Sequence, residues 1–235
     1  MQTLTSEFFD RDPSAVAVSL LGTRIIRRYG GELLCARIIE TESYYIKDKG
    51  SHASLGRTHK REALFMEPGT VYMYYAHGGD SMNISCRGEG NAVLIKSGVP
   101  CPESGGALEA MRRLNPMPDG SIRSDHRLCS GQTLLCRALA LRVPELDKRL
   151  LPMDEVYLAA DERCMRDEIV QTTRLGIPKG RDEDLWQRFI LKDHVRSATR
   201  NPLGTRKKTP CTVFVRSPDT RDIHGLRWDR TAAGR

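Results

Sequence analysis

Two carboxylates and two phenol rings crowd one short stretch, Glu40, Glu42, Tyr44 and Tyr45, directly after the β-branched run Ile38-Ile39. In extended chain a period of two puts Glu40, Glu42 and Tyr44 on one side. Carboxylates beside aromatic rings suit hydrolysis of a glycosidic bond, because the transition state is an oxocarbenium ion and the attacking water must lose a proton. The plain alternative is a strand end whose carboxylates face water, since short motifs predict function only loosely.

Other groups lie further along. His52 sits in a Gly/Ser-rich loop with His59 as its only near neighbour of that type. Neither a Cys nor a second His stands at ligand spacing, so no metal is expected. A lone loop His is most often surface polarity, and its closeness in sequence to Glu42 raises its standing modestly. Tyr72 and Tyr74 share one face of a strand, and Met73 and Tyr75 the other. Core packing accounts for at least one of these faces; the other offers rings for stacking a nucleobase or holding a cation. Asn83 reads either as a hydrogen-bond hub or as a reader of base edges. Lys96 reads as a phosphate contact or an ordinary strand-end charge.

The elements that must position these groups follow from periodicity. Residues 32–45 form a strand. Residues 70–76, 81–86 and 91–97 read as strands divided by the Gly-rich breaks His77-Gly78-Gly79-Asp80 and Arg87-Gly88-Glu89-Gly90, an antiparallel meander. Helical spacing appears over 106–114 and again after Ser130-Gly131, where Leu134, Leu135, Ala138 and Leu139 make one stripe and Ser130 is the expected N-cap. A further strand is expected over 155–160 and a short one over 212–215. Strands and helices in clusters, without β-α-β alternation, predict an α+β fold.

The whole chain has 235 residues, enough to bury a large core without staples. No leader pattern and no apolar run of about 20 residues is present, so a soluble, unsecreted protein is expected. Seven Cys with no Cys-x-x-Cys pair suggest free thiols throughout. The net charge is +7, and residues 196–235 hold ten Lys or Arg against three Asp, a surplus equal to that total. This stretch reads as a loosely held extension, either a solvated basic tail or an arm for a polyanion.

Taken together, residues 36–45, His52, residues 64–75, 82–85, 92–97 and 128–141 resemble, in order and spacing, the alkyladenine (3-methyladenine) DNA glycosylase family, over roughly Pro13 to Phe189. The resemblance implies one compact α+β domain around a curved antiparallel sheet with peripheral helices, no cofactor and no metal. Its boundaries would be a lead over 1–12, the glycosylase domain over 13–191 and a basic extension over 192–235. It implies a monomer acting on damaged double-stranded DNA away from membranes, in the cytoplasm or nucleoid of a bacterium or the nucleus of a eukaryote. Glu42 then resembles the general base, Tyr44 and Tyr74 the rings that sandwich a flipped base, His52 a wall of that pocket and Asn83 the residue that screens purines. Lys96, Ser130 and Gly131 resemble DNA contacts, Gly131 opening a helix N-terminus. One departure concerns the residue wedged into the duplex: the turn after the aromatic strand is a residue short and offers His77 where familiar members have Tyr.

The implied reaction is hydrolysis of the N-glycosidic bond of an alkylated or deaminated purine, leaving an abasic site. Two other readings make different demands. A non-enzymatic nucleic-acid-binding module needs no Glu42, and a carbohydrate glycosidase would use Glu40 and Glu42 as its carboxylate pair.

Overall fold

The computed structural model describes residues 1–76, 78–101, 105–160, 167–204 and 209–216. Its strands are β1 (Gln2–Thr3), β2 (Arg24–Tyr29), β3 (Glu32–Tyr44), β4 (Val71–Ala76), β5 (Gly79–Ser85), β6 (Ala92–Pro100), β7 (Val156–Ala160), β8 (Glu168–Thr172), β9 (Arg188–Leu191) and β10 (Cys211–Val215). All join one sheet in the order β1-β7-β2-β3-β6-β5-β4, with β9, β8 and β10 branching from β3. Every pairing is antiparallel. The expected meander is present as β4-β5-β6, and the fold is α+β as the clustering predicts.

The long strand β3 organises the molecule. Leu34, Ala36 and Ile38 alternate into the main core, against the helices Pro13–Leu20 and Gly105–Leu114. The register against β6 then slips twice: Ile39 is the extra residue of β3, and Lys96 the extra residue of β6. A bulge shifts the phase of every side chain after it. Beyond Ile39 it is therefore Thr41 and Ser43 that face the Pro13–Leu20 helix, through hydrogen bonds to the Ala17 carbonyl and to Ser14. Glu40, Glu42 and Tyr44 turn to the opposite side. Unbroken alternation from Leu34 would have driven both carboxylates into the apolar core, where an unpaired charge is strongly disfavoured.

Several expectations need correction. The helix read from Gln132 onward ends at Ala138, because Ala140 takes a φ of 50° that no helix tolerates. Its cap is Gly131, at φ 103°, and not Ser130, whose hydroxyl donates instead to the Ala198 carbonyl. Cys35 and Cys101 are joined as a disulfide, Cα to Cα 5.5 Å, where free thiols are expected. The antiparallel register explains the meeting: Ala36 pairs with Pro100, which brings their outer neighbours together. The expected strand near 212–215 is β10, paired with β8, and Arg216 donates to the Val18 and Leu21 carbonyls. Residues 209–216 are thus part of the folded body.

Candidate active site

On the side of the sheet away from the Pro13–Leu20 helix lies a cavity of about 730 Å³. Tyr44 from β3, Tyr72, Tyr74 and Asn83 from the β4-β5 hairpin, and Leu94 and Lys96 from β6 line it, and the loop residues Leu175 to Pro178 border it. Tyr72 and Tyr74 stack with centroids 5.5 Å apart, while Met73, between them, packs in the core. His52 opens a short 3-10 turn capped by Ser51. Its Nδ1 lies 2.9 Å from the Tyr72 hydroxyl and its ring 4.5 Å from that of Tyr74. Burial, with Arg61 and Arg181 nearby, lowers the His52 pKa, so the ring is a neutral imidazole at pH 7.

Beneath this cavity lies Glu42, fully buried. Tyr44 donates its hydroxyl proton to Glu42 Oε2 at 2.7 Å, the Leu175 N–H donates to Oε1 at 3.2 Å, and Lys96 Nζ stands 3.4 Å from Oε1. All three partners touch the cavity. Burial pushes the Glu42 pKa up, but Lys96, the Tyr44 hydroxyl, Arg188 and the Leu175 amide outweigh it and hold the carboxyl below its ordinary range. Burial and the adjacent carboxylate push the Tyr44 phenol far above its ordinary value, so it remains a donor. The site therefore holds a fixed anion under an aromatic chamber, an arrangement that stabilises a cation forming above it.

Glu40 has a different part. Its carboxylate accepts from Arg188 Nε at 2.6 Å, from Ser97 Oγ, and from the Thr199 N–H at 2.8 Å. Arg188 is itself fully buried and donates to the Arg200 carbonyl. Ser97 Oγ in turn accepts from the Gly131 N–H at 2.9 Å. Glu40 is thus the knot tying β3, β6 and β9 to the segment 197–200, with its lone pairs occupied. It does not form a carboxylate pair with Glu42 facing the cavity, which removes the basis for the carbohydrate-glycosidase reading.

Of the residues singled out in the sequence, Tyr44, His52, Tyr74, Asn83, Lys96, Ser130 and Gly131 all border this one cavity. Asn83 also donates to the Tyr72 carbonyl across the hairpin at 3.3 Å. The Ser130 hydroxyl and the Gly131 N–H are engaged internally, as described. His77 lies outside the described residues; its neighbour Tyr75 is 66% exposed.

Four contributors carry no sequence signal. Leu175 acts through its backbone. Thr199 and Gln132 border the cavity from segments whose patterns read as tail and helix. Arg174 lies against Tyr44 from a loop more than a hundred residues later in the chain. Among the described residues no group of three or more His, Cys, Asp or Glu is placed to hold a metal, and no helix is long and apolar enough to cross a membrane.

The family model described as methylpurine-DNA glycosylase matches residues 7–195. A protein of Pseudomonas savastanoi pv. phaseolicola, provisionally named 3-methyladenine DNA glycosylase, is 53% identical over 204 residues, covering 85% of this chain and 91% of the relative. One of Pseudomonas aeruginosa with the same name is 53% identical and covers 85% of this chain and 84% of its own. A third, from Carboxydothermus hydrogenoformans, is 31% identical over 81% of this chain and 96% of its own.

Proposed function

The chain belongs to the methylpurine-DNA glycosylase family, and from that premise we propose that it cuts the N-glycosidic bond of alkylated or deaminated purines rotated out of duplex DNA. The observation that carries this reading is the Glu42 carboxylate, held ionised under a chamber of Tyr44, Tyr72, Tyr74 and His52. C1′ cannot be attacked inside a stacked helix, so the nucleotide must first leave it, at a cost of a few kcal/mol that is smallest for damaged pairs. The base then stacks between Tyr44 and Tyr74, with His52 as a side wall and Asn83 at its edge.

As the glycosidic bond stretches, positive charge builds on the sugar. Glu42 stabilises it electrostatically and accepts a proton from the attacking water. A carboxyl with a lowered pKa is a weak base in the ground state. It becomes adequate as the water bonds to the cationic carbon and grows acidic. Alkylated bases leave readily because they already carry charge, whereas a neutral base needs a proton from water or protein. With water as the nucleophile the enzyme is monofunctional, its product an abasic site. Lys96, Ser130 and Gly131 lie on the wall where the flanking backbone would enter.

The test is incubation of the purified protein with alkylated duplex DNA, followed by alkaline cleavage and identification of the freed bases. Strand breaks only after alkali, with methylated purines in the supernatant, are expected. Glu42→Gln should lower release by at least about a hundredfold while damaged-duplex binding persists, since the amide keeps the shape and loses the basicity. Binding without any released base from the native protein would instead support a non-enzymatic module.

A further inference from the structure

Tyr44 is gripped by a residue that is not part of the cavity wall. The guanidinium carbon of Arg174 lies 4.6 Å from the Tyr44 ring centroid, yet Arg174 takes no part in the cavity wall and its side chain is fully buried. It is fixed by donation to Asp48 Oδ2 at 3.2 Å, to the Ser43 carbonyl at 3.3 Å and to the Asp182 carbonyl at 3.4 Å. Its Nε is buried with no hydrogen-bond partner. A buried unpaired N–H is unfavourable, so the group is held where it touches the ring and not where every donor is satisfied.

A cation over an aromatic face is drawn by the ring quadrupole. A guanidinium fixed on one face makes the ring a poorer receptor for a second cation on the other, because the two charges repel through a medium that screens weakly. Stacking of a neutral base depends on area and dispersion and is left intact. We propose that Arg174 is a specificity-determining residue that tempers the attraction of Tyr44 for cationic bases, so that the site takes neutral damaged bases alongside cationic alkylated ones. This rests on the base-release function proposed above. Arg174 acts through Tyr44 and touches no substrate.

The test is binding to a matched pair of duplexes carrying 7-methylguanine, which is cationic, or its neutral isostere 7-methyl-7-deazaguanine. Both are built on a 2′-fluoro sugar that resists hydrolysis. In the double variant Arg174→Gln/Asp48→Asn, which removes both charges of the buried pair, the ratio of cationic to neutral affinity is expected to rise about tenfold. Asp48→Asn alone leaves the guanidinium uncompensated and should lower that ratio. The ratio is insensitive to a loss of packing that affects both ligands equally, and either variant suffices if the other does not fold. An unchanged ratio, or a change opposite in sign, overturns the role of Arg174 and leaves the glycosylase reading standing. A native protein that binds neither damaged duplex more tightly than undamaged DNA overturns both.

Discussion

Lys96 Nζ stands 3.4 Å from Glu42 Oε1 because Lys96 is the extra residue of a β-bulge. It and the next residue, Ser97, both turn toward the carboxylates, Lys96 to Glu42 and Ser97 to Glu40. Strict alternation forbids that arrangement for consecutive residues. The bulge therefore places a cation and a hydroxyl side by side, Lys96 in the cavity wall and paired with Glu42, and Ser97 tying down the neighbouring carboxylate Glu40.

A pH dependence follows. The Glu42 pKa is lowered in the fold, so its ionised form persists below the ordinary carboxyl value of about 4.3. Single-turnover release of 7-methylguanine, a base that needs no added proton, should stay level from pH 7 to about 5 and fall only in stronger acid. Lys96 is the largest of the influences that lower this pKa, with burial opposing. In Lys96→Met the acid limb should move toward neutrality. A limb that stays in place would show that Lys96 does not set the charge of Glu42.

Breaking the Glu40 knot should affect folding first. Glu40 and Arg188 are both fully buried, and removing one partner leaves a charge without a counter-ion. Arg188→Met is expected to lower unfolding free energy by about 3–5 kcal/mol, and the double variant with Glu40→Gln to recover much of that. Denaturant unfolding of the two singles and the double gives the coupling directly. Additive losses would mean that the pair is not coupled.

What was legible before the fold, and what was not, divides along a physical line. The aromatic strand, the meander and the Glu42-Tyr44 pairing are encoded by local alternation, which acts over a few residues. The assignment of Glu40 and Glu42 to separate tasks depends on Arg188 and Thr199, brought from the far end of the chain by β9 pairing with β3. A bulge leaves no mark in composition, so the approach of Lys96 to Glu42 could not be told from an ordinary strand-end charge. Ser130 has the side chain of an N-cap, but the helix begins one residue later than that role requires, its cap being Gly131 at a φ of 103° that suits glycine, and the Ser130 hydroxyl donates to the Ala198 carbonyl.

The basic extension makes a prediction of its own. Arg206, Lys207 and Lys208 lie outside the described residues, between a segment that borders the cavity and the strand β10. If they meet phosphates, replacing all three with Gln should reduce the log–log salt slope of duplex binding by up to about 0.9 for each phosphate no longer neutralised. Release from prebound substrate should persist. An unchanged slope would show that their charge never reaches DNA.

The last expectation concerns the gap that a rotated base leaves in the stack. Ala76 pairs with Gly79 across the β4-β5 hairpin, and His77 and Gly78 stand between them in the sequence. Gly78 takes a φ of 78°, the left-handed region that favours glycine. Enzymes commonly fill such a gap with a side chain presented from a turn. Within this loop His77 has the only side chain beyond hydrogen, and Tyr75, one residue before Ala76, is the exposed aromatic neighbour. His77→Ala should slow single-turnover release from a stably paired duplex by roughly tenfold or more, and much less from a mismatched one whose target base is already loose. Tyr75→Ala, measured on the same two duplexes, separates the alternatives. Selective loss in that variant assigns the wedge to Tyr75, selective loss in His77→Ala assigns it to the loop, and equal losses on both duplexes in both variants would sink the wedge altogether.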